Sequence, residues 1–176
     1  MPPLDAIFKA YDVRGTVPDQ LDAELARAIG VGFATFALHD AAERSTPVTR
    51  VLVARDMRPS GIELTGAFSD GVRSQGLDVV DLGLGSTDLL YFASGSMDAP
   101  GAMFTASHNP AQYDGAKFCM AGARPDGEDT GLERIREVGN ASLAGSVTAA
   151  DVEGSLTHLD VLDAFAAHVR SFVDVT

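Results

Sequence analysis

Basic residues are scarce in this chain: 13 Lys and Arg stand against 25 Asp and Glu, a formal net charge of −12. Nucleic-acid backbones are held by cationic surfaces, so this balance disfavours broad nucleic-acid binding. Cysteine is scarcer still. Cys119 stands alone, which rules out an internal disulfide, and its apolar strand-like surroundings read as those of a buried, inert thiol. Long apolar runs are missing too: the longest weakly polar stretch, residues 29–38, is far too short to span a bilayer. The first dozen residues lack a basic start followed by an apolar core. A cytoplasmic protein with no membrane partner is the expectation. The chain shows no internal repeat and no low-complexity tract.

What is present suits one globular domain with a real core. Of the 176 residues, 45% are apolar and 22% charged. Five of the 13 basic residues, Lys9, Arg14, Arg55, Arg58 and Lys117, lie in or beside short loop motifs. A local positive pocket for an anionic small molecule can therefore exist against the global field.

Periodicity organises the chain into strands and helices. Residues 6–10 lead into a turn at Gly15. Leu25, Ile29, Phe33 and Phe36 then recur at helical spacing behind Asp22, predicting an N-capped helix over residues 23–38 and a polar connection over 39–49. Val51-Leu52-Val53-Ala54 reads as a strand buried on both faces. Ser60 and Glu63 have capping-box spacing ahead of Leu64, Phe68 and Val72, a helix that Gly76 can end. Residues 77–82 predict a strand, 83–86 a loop, and Leu89, Leu90 and Ala93 a short helix. Residues 102–105 and 116–120 predict two strands flanking a loop that carries Ser107. Strand, loop and helix in this order imply an α/β domain with a mixed, mostly parallel sheet. Further on, Thr130 and Glu133 repeat the capping-box spacing before a small helix, residues 139–154 resemble a linker, and Leu159, Leu162, Phe165, Ala166, Val169, Phe172 and Val173 predict a final amphipathic helix. The expected division is a main α/β unit over 1–154 and a C-terminal helix over 155–176, leading toward a second domain.

The chemistry points to Thr105-Ala106-Ser107-His108-Asn109-Pro110. A phosphoserine carries nearly two negative charges and three strong acceptor oxygens, so it needs donors and cations nearby. His108 and Asn109 offer donors, Pro110 stiffens the turn, and Lys117 follows on the next strand. Ser, Asn and Pro are equally the residues of ordinary turns, and on composition alone that simpler reading is favoured. Serine hydrolysis ranks low. A nucleophile elbow needs small residues two positions either side of the serine, where Thr105 and Asn109 stand. Gly83 and Gly85 do not begin a dinucleotide-binding fingerprint. His39, near the end of the first helix, and His158 and His168, on different faces of the last, form no metal constellation.

Three motifs carry a more specific resemblance. Phe8-Lys9-Ala10-Tyr11-Asp12-Val13-Arg14-Gly15, Arg55-Asp56-Met57-Arg58-Pro59-Ser60 and the Ser107 hexapeptide occur in the order and spacing of the first domain of the α-D-phosphohexomutases. The phosphomannomutase and phosphoglucomutase branch is the nearest in pattern. The resemblance implies a three-layer α/β/α domain of a phosphoserine enzyme, which moves phosphate between the 6 and 1 positions of a hexose through a hexose 1,6-bisphosphate. It implies that Ser107 donates and accepts the phosphoryl group and that its phosphate supplies one Mg²⁺ ligand. His108 and Asn109 would orient that phosphate, Lys117 would act in proton transfer or charge stabilisation, Tyr11 and Arg14 would line the cleft, and Arg58 would order the loop.

Departures from the family pattern qualify this. Asp114-Gly115 replaces a usual Asn-Gly and is expected to preserve the turn, while Gly85-Ser86-Thr87-Asp88 replaces a common Pro-Thr-Pro and is expected to alter the loop beneath the serine. No D-G-D-x-D-R segment, the family's Mg²⁺ loop, is present. The implied partners are a hexose phosphate and the remaining domains of the same enzyme, without which this part is expected to be inactive. A free-standing phosphosugar-binding or regulatory module is the alternative.

Overall fold

The computed structural model describes residues 3–126 and 131–173. The expected cap at Thr130 and the last three residues lie outside them. After a short 3-10 turn at Pro3–Ala6, the order is β1 (Val13–Thr16), α1 (Ala23–Arg44), β2 (Arg50–Arg55), α2 (Ser60–Arg73), β3 (Asp78–Leu84), α3 (Thr87–Met97), β4 (Gly101–Phe104), β5 (Tyr113–Met120), β6 (Arg124–Pro125), α4 (Glu133–Leu143), β7 (Leu156–His158) and α5 (Leu162–Arg170). The strands form one sheet in the order β1-β5-β4-β2-β3-β7, with β6 added to β5. Strands β4, β2, β3 and β7 run parallel, and β5 is antiparallel to β1, β4 and β6. The fold is therefore a three-layer α/β/α domain with a mixed sheet.

Strand alternation sends neighbouring side chains to opposite faces, and both faces are apolar. Val51, Val53, Ala102, Phe104, Ala116 and Phe118 meet α1, α2 and α4 on one side. On the other, Leu52, Ala54, Met103 and Cys119 meet α3. Cys119 is buried, as its strand setting predicts, and burial pushes its thiol pKa up. Phe33 stacks on Phe118 at 4.9 Å and Phe68 meets the edge of Phe104 at 5.3 Å, locking the helical layer onto the sheet.

The three helices of the larger layer touch backbone to backbone. A Cβ on Gly30 would run into the Phe68 carbonyl, one on Gly71 into the Arg27 carbonyl, and one on Gly32 into the Ile135 carbonyl. Glycine is thus required at these positions by close approach.

Local pattern and structure differ in several places. Helix α1 is capped by Asp22, whose Oδ1 accepts from Leu25 N at 2.9 Å, but it runs on to Arg44 through the expected polar connection. Asp40 explains the extension: it binds Arg44 at 3.0 Å within the helix and Arg124 beyond it at 2.7 Å. His39 consequently lies well inside the helix. Gly139 opens no linker; it sits within α4 against Leu4 and the Ala28 carbonyl. Before the final helix, β7 joins the sheet, fastened by Asp78, which accepts from both Ser155 N and Ser155 Oγ at 2.7 Å. His158 is therefore on a strand, 3.2 Å from Asp81, and not on α5. Leu159 likewise precedes α5, which begins at Leu162.

Candidate active site

The site follows from strand register. Arg55 ends β2 opposite Leu84 of β3 and Phe104 of β4, so three parallel strands finish level and their loops leave from one edge. In open α/β sheets this carboxyl edge is where crevices form. Backbone bonds join the loops: Asp56 N donates to Phe104 O and Gly85 N to Arg55 O, both at 2.9 Å.

Ser107 sits at the turn of the loop after β4. Its φ of 54° is left-handed, a conformation uncommon for a residue with a side chain. Local bonds hold it there: Ser107 N donates to Thr105 Oγ1 at 2.9 Å and Asn109 N to Ala106 O at 3.0 Å. The exposed hydroxyl lies 3.2 Å from His108 Nδ1. Such a turn aims the serine outward.

Arg58 orders the loop from beneath. Its Nη2 donates to Ser107 O and Asn109 O at 2.9 and 3.0 Å, its Nη1 to Tyr113 O and Pro110 O at 2.9 and 3.1 Å, and its Nε to Asp56 Oδ2 at 3.2 Å. All five guanidinium N–H groups are engaged. Asp56 in turn accepts from Thr105 Oγ1 at 2.7 Å and from Arg58 N at 2.9 Å.

A second cluster flanks the loop. Asp12, only 7% exposed, accepts through Oδ2 from Arg14 Nη2 at 2.6 Å and from Lys117 Nζ at 3.3 Å. The other arm of Arg14, Nη1, donates to Asn109 Oδ1 at 3.1 Å. Arg14, Arg58, Lys117, Asn109, His108 and Ser107 are thereby brought to one edge. Tyr11, the residue before Asp12, is 78% exposed. Lys9 instead binds Ala6 O at 2.6 Å, and Arg55 donates to Asp56 O at 3.3 Å. Two of the five loop cations, Arg14 and Arg58, thus bond to the serine loop, and Lys117 joins them through Asp12.

Sequence reasoning missed the carboxylates. Asp12 lies two residues before Arg14 in an extended run, a period-two spacing that places both on one side and was the available signal. Asp114 had none. It is fully buried and accepts from Ser60 Oγ at 2.6 Å and Gly115 N at 2.9 Å. Burial pushes its carboxyl pKa up, with nearby Asp56 adding to the rise, while those two bonds and Arg58 oppose it. Ser60 consequently does not cap α2 as its spacing predicts; Pro59 occupies the cap without a side-chain bond, and the hydroxyl goes to Asp114. Ser86, in the Gly85 to Asp88 stretch, caps α3 by accepting from Leu89 N at 3.2 Å.

Among the described residues, no group of three or more His, Cys, Asp or Glu is arranged to hold a metal ion. Nor, among them, is any helix long and apolar enough to cross a membrane.

Comparison with known proteins agrees with this fold. Residues 5–142 match the family model of phosphoglucomutase/phosphomannomutase, alpha/beta/alpha domain I. Proteins named phosphohexose mutases, from Xanthomonas campestris pv. campestris, are 41% identical over 170 residues, covering 95% of this chain and 35% of theirs. A phosphomannomutase of Salmonella typhimurium is 33% identical over 169 residues, covering 96% and 35%. A solved phosphoglucomutase/phosphomannomutase family protein from Burkholderia thailandensis superposes with a TM-score of 0.77 at 32% identity, covering 97% of this chain and 36% of that one. The chain spans about a third of the length of these relatives.

Proposed function

The chain belongs to the phosphoglucomutase/phosphomannomutase family, as its α/β/α domain I, and on that premise we propose that it supplies the serine-bearing half of a hexose-phosphate mutase active site. The carrying observation is the outward-turned Ser107, its hydroxyl at His108 and its backbone carbonyl on Arg58. In phosphoryl transfer the protein contributes mainly positioning and electrostatic stabilisation, and this loop is built for both.

In the proposed cycle a hydroxyl of a hexose monophosphate attacks the phosphorus of phosphorylated Ser107. The bond from phosphorus to Oγ breaks, and the serine oxygen leaves as a hydroxyl, its gained proton balancing the one the attacking hydroxyl loses. The hexose 1,6-bisphosphate so formed then returns its other phosphoryl group to Ser107. Lys117 serves in proton transfer or holds charge at Oγ. Arg14, Asn109 and His108 orient the phosphate, Arg58 keeps the loop in shape, and Tyr11 lines the cleft. Mg²⁺, which would neutralise phosphate charge when bound, has no ligand cluster among the described residues of this chain. From this part it would take only an oxygen of the Ser107 phosphate, with its other ligands in further domains, so the chain alone is expected to be inactive. Its partners are a hexose phosphate and those domains, and the setting is the cytoplasm.

Mass spectrometry of the full-length enzyme, before and after exposure to a hexose 1,6-bisphosphate, tests the proposal. One phosphoryl group on the peptide carrying Ser107 is expected; a phosphate located elsewhere, or none, overturns it.

A further inference from the structure

One carboxylate serving two cations is the unusual feature of the serine edge. Asp12 Oδ2 takes both Arg14 at 2.6 Å and Lys117 at 3.3 Å, and Arg14 alone of the two also reaches the loop, at Asn109 Oδ1. Arg58, by contrast, has its own carboxylate in Asp56 and spends its remaining donors on backbone carbonyls. Charge therefore balances at the Arg58 pair and not at Asp12. One positive charge is left over there, in a chain whose net charge is −12.

We propose that Asp12 is a positioning residue that holds Arg14 and Lys117 as a pair beside the loop while Ser107 is unmodified and surrenders part of their interaction when Ser107 carries phosphate. This rests on the phosphoserine reading above. A dianionic phosphate outbids a single carboxylate for cations within reach, because charge-assisted bonds strengthen with the acceptor's charge and number of oxygens. The same carboxylate repels the phosphate. Asp12 thereby lowers the stability of the phosphoserine form relative to free Ser107 and keeps its phosphoryl group transferable. The other charged or titratable groups around the serine are His108 at its hydroxyl, Arg58 and Asp56 below it, and buried Asp114 behind the loop.

The readout is an equilibrium. Full-length enzyme is incubated at fixed pH with a set ratio of glucose 1,6-bisphosphate to glucose 6-phosphate, approached from the phosphorylated and unphosphorylated sides, and the phosphorylated fraction is read by intact mass. Asp12→Asn, nearly isosteric, is expected to shift the ratio of phosphorylated to free enzyme upward by about tenfold, one pKa unit's worth of free energy. An unchanged or lowered ratio overturns the proposal, since mere damage to the loop would not favour the phosphoenzyme. A second measurement needs no variant: side-chain ¹⁵N resonances of Arg14 and Lys117 in the wild-type enzyme should both move when Ser107 is phosphorylated. If neither moves, Asp12 does not exchange its cations. Wild-type enzyme that never takes phosphate on Ser107 sinks the functional reading itself, a result distinguishable from a phosphorylated enzyme whose ratio ignores Asp12.

Discussion

The two sides of this domain are held together in opposite ways. Where α1 meets α2 and α4, glycines bring backbones into contact and phenylalanines fill the space down to the sheet. At the serine edge, almost nothing apolar is buried. A left-handed serine with an exposed hydroxyl sits in a loop whose carbonyl groups are held by Arg58, reaching across 52 and 55 residues. The first region resists change of volume. The second resists change of charge or donor number. Stability is thereby concentrated in one place and chemistry in another, and substitutions should separate the two.

The largest separation is expected from Ser107→Ala in the full-length enzyme. Mutase turnover should fall by several orders of magnitude while thermal unfolding stays within a degree or two; retained turnover would place the nucleophile elsewhere. On the opposite side, Phe68→Ala should cost about 3–5 kcal/mol in denaturant unfolding, through lost burial and the cavity left between Phe33, Phe104 and Phe118. If it folds, its loop should still be phosphorylated. Loss of both together would mean that the two regions are not independent.

Arg58→Met tests the edge from beneath. It strips five charge-assisted donors from the loop, so turnover should drop at least tenfold while global stability changes by about 1–3 kcal/mol, less than for Phe68. A stability loss above that range, with turnover unaffected, would recast Arg58 as a structural residue.

The smallest effect is expected at Asp114. Burial raises its carboxyl pKa, so the folded chain keeps this proton at pH values where the unfolded chain has lost it. Stability from this group is then greatest below the ordinary carboxylate range and falls as pH rises through the raised value. Asp114→Asn removes that dependence while keeping an acceptor for Ser60 or Gly115. Near neutral pH it should be more stable by up to about 1 kcal/mol, and the two stability curves should converge in acid. Parallel curves across that range would refute the buried-charge account.

Much of the edge was legible in order and spacing. Ser107, His108, Asn109, Lys117, Arg14 and Arg58 do converge: the matched parallel strands bring the Arg58 and Ser107 loops to one end, and the antiparallel pairing of β5 with β4 and β1 sets Lys117 and Arg14 beside them. What the local pattern misjudged shares a cause. Ser60 and Glu63 have the spacing of a capping box, yet a carboxylate 54 residues away takes the hydroxyl. Residues 39–44 look polar enough for a connection, yet Asp40 gains a partner in Arg124, 84 positions on. Gly139 seems to open a flexible stretch, yet it is where α4 lies against α1. In each case a distant group outcompeted a local preference worth about 1 kcal/mol or less.

By itself, the sequence determined most of the element order and the two-faced apolar strands, because 3.6-residue and two-residue periods act over a few residues, while the serine loop stood out only through its resemblance to the phosphohexomutase motifs. Only the tertiary structure decided that Lys117 shares Asp12 with Arg14. Opposite charges within hydrogen-bond reach choose partners by distance and burial, and the chain sets those only once β1, β2, β4 and β5 lie side by side.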